Sequence, residues 1–485
     1  MNDPCPTPHQ PTVHNQPAPL QAGEPFVVVV LGSSSITAEA FSFWPSLPLL
    51  GQYRGADDAE PLSSPLELKQ SCRFVLPSTT PPTDSNPPPG SKLDQMAIQR
   101  AFEILLPYLQ AASASGVKRF FGLATEAFRA ADPRTVDDFF HTLYEQSGQK
   151  LAITVLSGDE EAELAAAAAK WQLGREVDNA IVLDFGSASL DLAWMKDGHI
   201  QLTDSLPIGP LYNQQPSLAL EALRNSLVVH QLHGRTLIVR GGLMTKTGLL
   251  ALRENAYPLD RIDGFGITTA MLLPILAKWM HKDFTQRRDA AARFNLAAAQ
   301  QAHFAYALQV LHGLLTAITP RRVVFTQAGL HEGLAFGFFP PEWQQQDRML
   351  DWCWQLAKPW ATPNTQSYLQ QLEKQVMLQQ DFSTHRHRRL LTALCWLTLV
   401  QQAVQAGQAQ SPLPLLTNAV IPELSPQDRA FLLTALIHYD RTQDEHRRKL
   451  EAFAQLLLPE DTSRAQNLGF LLREISSFLL AQSAR

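Results

Sequence analysis

The stretch from Ile153 to Trp194, ITVLSGDEEAELAAAAAKWQLGREVDNAIVLDFGSASLDLAW, leaves this chain few folds to choose from. An apolar run (Ile153 to Leu156) meets an acidic turn (Ser157, Gly158, Asp159, Glu160, Glu161) and then an alanine-rich helical segment. A second apolar run (Ala180 to Leu183) ends at Asp184, and Gly186-Ser187-Ala188-Ser189 leads on to Asp191. Short apolar runs bounded by Gly and Ser, with a helical pattern between them, read as a βαβ unit. Its two turns bring Glu161, Asp184 and several backbone N–H groups to strand ends. Small residues there admit a phosphate close to the backbone, and carboxylates there hold a divalent cation or position a water. An acidic helix start is equally ordinary capping chemistry.

At 485 residues the chain has room for about two to four domains. With 45% hydrophobic and 18% charged residues it can build a sizeable core. The net charge of −6 is mild, and the short basic runs RRVV (321–324) and HRHRR (385–389) read as solvated faces, so no nucleic-acid partner is expected. Cys5, Cys72, Cys353 and Cys395 are far apart and show no CxxC spacing, which argues against a zinc site or a disulfide scaffold. No apolar run reaches the ~18 residues that span a bilayer, and the N-terminus lacks the order of a signal peptide; a cytoplasmic protein without a membrane partner is expected.

Residues 1–24 carry six prolines and read as a disordered tail. Phe26 to Phe41 reads as a hairpin around Gly32-Ser33-Ser34-Ser35, and 54–90 as a Pro-rich loop holding one strand, Arg73 to Leu76. Helix and strand then alternate: a helix over Leu93 to Ala112, a strand over Val117 to Leu123 feeding Ala124 to Arg129, and a helix opened by Asp132-Pro133. Thr236 to Val239 is a strand ending in Arg240-Gly241-Gly242, Phe265 to Lys282 reads as a helix, and Arg321 to Thr326 as a strand. From Pro340 the strand signals stop and Leu, Gln and Ala recur at helical spacing to the end. The expected division is a tail (1–24), two α/β lobes (25–195 and 196–340) and a helical C-terminal domain (341–485).

Taken in order, Phe26 to Phe41, Ala124 to Ala131, Ile153 to Leu164, Ile181 to Leu192, Leu206 to Gly209 and Gly329 to Leu334 resemble the exopolyphosphatase / guanosine pentaphosphate phosphatase (Ppx/GppA) family. The resemblance spans about 25–340 and implies a duplicated actin-like (RNase H-like) α/β fold around a phosphate cleft. It implies Glu161 as the general base that orients the attacking water, and Asp184 as a catalytic carboxylate at the second phosphate loop. Arg129, Gly32, Ser33, Ser35, Gly186, Ser187 and Ser189 fall where substrate phosphate is bound. Mg²⁺ (or Mn²⁺) is implied at Asp184 and Asp191. Implied partners are polyphosphate or guanosine pentaphosphate, and a second copy of the chain through the C-terminal region.

Several positions depart from the family pattern. Val30 stands where an Asp precedes Leu-Gly, Ser187 and Ala188 replace two glycines of the second loop, and His331 replaces the Arg of an Arg-Glu-Gly. Each added Cβ sits where phosphate oxygens approach backbone. The expected activity is hydrolysis of a terminal phosphoanhydride. Two rivals stand beside it: a family member that binds polyphosphate or an alarmone without turnover, and an actin-fold ATP-dependent kinase.

Overall fold

The computed structural model describes residues 24–42, 51–52, 67–71, 93, 95–211, 215–280, 298–339, 344–382, 384–440 and 452–483. The expected tail, the strand expected at Arg73 to Leu76 and most of the 54–90 loop lie outside the described residues. The chain forms two compact units. One holds the described residues up to Glu254 and again Phe265–Gln344; the other holds Asn255–Gly264 and the residues from Gln345 onward.

The first unit contains two six-stranded sheets with one plan. In the first, β1 (Phe26–Leu31) pairs antiparallel with β2 (Ser35–Ser42), which also carries β3 (Gly51–Gln52) and β4 (Glu67–Ser71). On its other side β1 pairs in parallel with β5 (Arg119–Ala124), and β5 with β6 (Leu151–Val155). In the second, β7 (Ala180–Phe185), β8 (Leu190–Lys196) and β9 (His199–Leu206) form the antiparallel meander. There β10 (Thr236–Arg240) pairs in parallel with β7 and with β12 (Arg322–Phe325), and β11 (Phe265–Ile267) lines the edge. A three-strand meander followed by two parallel strands, made twice, is the duplicated actin-like plan.

This pairing corrects two expectations. The boundary drawn between 195 and 196 falls inside the second sheet, because β8 and β9 are hydrogen-bonded neighbours and β7 belongs with them. The helix expected from Phe265 begins only at Thr269, because Phe265–Ile267 pairs with β12 and stacks Phe265 on Phe325. An apolar run at a sheet edge satisfies its backbone in the ladder before it can coil.

The alanine-rich helix Gly158–Leu173 packs in the core of the first unit. Ala162, Ala165, Ala166 and Ala169 are buried with Phe121 of the first sheet and Val182, Ala193 and Ile238 of the second. Small side chains let neighbouring backbone come close: at Gly333 of the helix Leu330–Gly337, a Cβ would lie 2.2 Å from the Leu164 carbonyl oxygen.

The second unit is helical, with helices Arg348–Ala357, Thr365–Gln379, His385–Gln405, Pro426–Tyr439 and Pro459–Ser483 around one apolar core. Here HRHRR is not a solvated face. Arg386 binds Asp428 (2.6 Å) and Asp461 (2.7 Å), His387 lies 3.0 Å from Asp461, and Arg389 binds Asp347 (2.9 Å). The acids come from three remote stretches, which is why the local sequence did not show them. No helix among the described residues is long and apolar enough to cross a membrane.

Candidate active site

The two glycine–serine turns close in the same way. The Gly32 amide donates to the Ser35 carbonyl and the Gly186 amide to the Ser189 carbonyl, each at 2.9 Å. These two N–H groups, expected on phosphate, are thus spent on holding each turn against its second strand. The turns face each other: Ser34 and Ser187 meet hydroxyl to hydroxyl across the pair of sheets. Ser33 is buried, and its hydroxyl finds no hydrogen-bond partner among the described residues, the condition of a donor that a ligand completes.

The second turn is backed by Gly209, whose amide donates to the Ala188 carbonyl (2.8 Å), while Leu211 donates to that of Ser187 (2.9 Å). Ser189, expected on phosphate, instead donates to Asp191 (2.9 Å), and Ser205 of β9 donates to the other oxygen of Asp191 (2.5 Å). Ser35 lies at the start of β2, with its carbonyl closing the first turn.

The acidic helix start separates into a cap and a buried acid. Ser157 and Glu160 form a capping box, with Glu160 N–H to the Ser157 hydroxyl at 3.2 Å and Ser157 N–H to the Glu160 carboxylate at 2.7 Å. Glu161, one residue on, turns inward and is 5% exposed. Arg129 donates to it at 2.7 Å and also binds Glu126 and the Leu156 carbonyl. Three of its N–H donors are therefore committed within the protein, and Arg129 is a partner of Glu161 before it is a clamp for phosphate.

Asp184, the penultimate residue of β7, lies directly opposite Asp191 on β8 and Arg240 on β10. Arg240 binds it through one N–H and holds the Ala328 carbonyl through another at 2.8 Å. Burial pushes Glu161 well above the usual carboxylate range, the Asp191 charge pushes it further, and Arg129 opposes both. Asp191 is pushed up by burial and then by Asp184, against its two serine donors. Asp184 is raised by burial, against the attraction of Arg240. Each acid feels the next, and Glu161, Asp184, Asp191 and Arg129 share one polar centre.

Val30 has joined the apolar cluster of Phe26, Val28, Leu330 and Leu334. Arg240, Ser34, Ser205 and Glu126 belong to the centre and were missed. Two of them carried a signal, Ser34 within the first glycine–serine turn and Arg240 as the residue leading into a glycine pair at a strand end. A further group nearby has metal-ligating character: donor atoms of Glu39, His331 and Glu332 lie within 4.8 Å of one another. There Glu332 accepts from the Gly329 amide (2.6 Å) and His331 lies 2.9 Å from the Thr37 hydroxyl.

The resemblance implies Mg²⁺ on Asp184 and Asp191, and the side chains do not fit it. One oxygen of Asp184 is on a guanidinium, both of Asp191 hold hydroxyls, and Val30 offers no ligand. Mg²⁺ wants several unencumbered oxygens in octahedral array.

Among solved structures, the chain is similar to a Ppx/GppA family member from Aquifex aeolicus (18% identity, TM-score 0.44, covering 64% of this chain and 96% of that one). It is also similar to an exopolyphosphatase from Cytophaga hutchinsonii (13% identity, TM-score 0.49, covering 64% and 97%). No curated protein matches the sequence. The family model described as the Ppx/GppA phosphatase family matches residues 83–342, more than half of the chain, and the protein belongs to that family.

Proposed function

We propose that this protein hydrolyses a terminal phosphoanhydride, taking inorganic polyphosphate or guanosine pentaphosphate as substrate. The observation that carries the reading is Glu161, a buried carboxylate of raised pKa held by Arg129 and acted on by the charges of Asp191 and Asp184, which flank the second turn. A carboxylate tuned upward is a competent base near neutrality. Its oxygen takes a proton from water as the water oxygen bonds to the terminal phosphorus. The bridging P–O bond breaks in line, and the electron pair leaves on the terminal oxygen of the shortened chain. The Ser33 hydroxyl supplies a donor to the non-bridging oxygens. Arg129 holds Glu161 in place.

A second reading, binding without turnover, is favoured by the Ser34–Ser187 contact, which narrows the gap a phosphate would enter, and by Val30 in the core. The test offers purified protein long-chain polyphosphate, guanosine pentaphosphate and ATP, and follows phosphate release and ligand binding together. Release lost in Glu161→Gln supports hydrolysis, whereas tight binding with no release in the unaltered protein supports the second reading.

A further inference from the structure

The family's cation and this chain's side chains compete for the same carboxylate. We propose that the Arg240 guanidinium is the resident counter-charge of the cleft in place of a protein-bound divalent cation, so that the protein takes up a phosphate chain without holding a metal on Asp184. This rests on the phosphate-chain reading above for its ligand, but not for its account of the metal.

Arg240 is the last residue of β10 and Asp184 lies opposite it on the parallel neighbour β7. The approach depends on Gly241, which has φ +110° and no side chain: a Cβ there would fall 2.4 Å from the Phe185 carbonyl oxygen and 3.1 Å from the Asp184 carboxylate. The guanidinium is fixed from two sides, by Asp184 and by the Ala328 carbonyl at 2.8 Å. Both side chains are buried, Arg240 and Asp184 each being 8% exposed. A divalent ion taking the Asp184 oxygen that accepts from Arg240 would expel that guanidinium and leave it buried without its carboxylate, which is the costly way to break such a pair.

Both oxygens of Asp191 are engaged as well. One accepts from Ser205 (2.5 Å) and one from Ser189 (2.9 Å), and Val30, two residues before Gly32 of the first turn, is apolar and buried. Arg240 also stands where a phosphate chain needs positive charge, beside the second turn that follows β7. A fixed guanidinium supplies that charge with directional N–H donors and without a metal to load.

The test uses the full chain and two readouts. The first needs no phosphate: Mn²⁺ binding is followed by the electron paramagnetic resonance of free Mn²⁺. It is run in the His331→Ala background, so that the Glu39–His331–Glu332 group does not contribute. At millimolar Mn²⁺ this protein is expected to take up no ion, and the added substitution Arg240→Met to create one site that Asp184→Asn removes. The second readout is binding of labelled polyphosphate with excess EDTA or with Mg²⁺. Affinity in the unaltered protein is expected to be equal in the two, and Arg240→Met to weaken it about 10- to 100-fold in EDTA, with recovery in Mg²⁺. Arg240→Gln also removes the charge while keeping hydrogen-bonding groups, and serves where the Met variant does not fold. Mn²⁺ uptake by the His331→Ala protein that Asp184→Asn abolishes overturns the proposal, as does polyphosphate binding lost in EDTA. Absence of polyphosphate and pentaphosphate binding under both conditions overturns the function proposed above, while the Mn²⁺ arm still decides the role of Arg240.

Discussion

Glu160 and Glu161 are the same residue type at adjacent positions, and their surroundings divide the work. Glu160 reaches back to the Ser157 amide and stays in water, while Glu161 is buried beside Arg129 and Asp191. Glu161→Gln keeps the shape and removes the base, so kcat is expected to fall by ~10²–10⁴ with KM little changed, measured as phosphate release. Glu160→Gln removes only an exposed cap carboxylate and is expected to leave kcat within a few-fold. Arg129 gives a sharper test of role. Because its charge opposes the forces that raise Glu161, Arg129→Met is expected to move the acid limb of the pH–rate profile to higher pH. A residue that merely clamped phosphate would raise KM and leave that limb where it was.

At the scale of elements, close backbone approach sets the architecture. The helix Leu330–Gly337 lies so near the helix Gly158–Leu173 that a Cβ at Gly333 would meet the Leu164 carbonyl oxygen at 2.2 Å. Gly333→Ala therefore pushes on the helix that carries Glu161 and is expected to cost ~1–3 kcal/mol in denaturant unfolding, with kcat falling alongside. The elements themselves were legible where local signals agree. Asp132-Pro133 starts the helix Pro133–Ser147, with Asp132 accepting the Thr135 amide at 3.2 Å, and Pro426–Tyr439 is one of the helices in the stretch beyond Pro340 where apolar residues recur at helical spacing. Phe265–Ile267 was not legible, because an apolar triplet before a helix becomes a strand only when β12 lies beside it. The site divided along the same line. Glu161 and Asp184 could be read from turn chemistry within one stretch, and Asp191 came only with the family resemblance, whereas Arg240, Ser205 and the acids around Arg386 are matched to their partners only by long-range pairing. Glycine and serine in a turn also do not say whether an N–H faces a ligand or closes the turn, and at Gly32 and Gly186 it closes the turn.

For the molecule as a whole, the polar centre couples stability to activity through pH. Burial disfavours the charge of Glu161, Asp184 and Asp191 and raises all three from their ordinary values, Asp191 to about 7. Between about pH 4 and that value the folded chain holds protons that the unfolded chain has released. This contribution to stability is therefore complete below the ordinary carboxylate pKa and is lost as pH rises toward neutrality. Asp351 of the helical unit, raised to about 6 chiefly by burial, adds a term of the same sign, so no single substitution removes the whole effect. The melting temperature is expected to fall between pH 5 and pH 8, and Asp191→Asn to flatten that slope in part. Hydrolysis should run the other way, since Glu161 accepts a proton only once ionised, giving an acid limb displaced well above the usual carboxylate range. Melting curves and phosphate release recorded on the same buffers test both halves at once. A melting temperature that rises steadily from pH 5 to 8, or a rate already level at pH 5, would separate the buried acids from the energetics assigned to them. Opposed slopes would show that the chain carries its base at the expense of the fold that positions it.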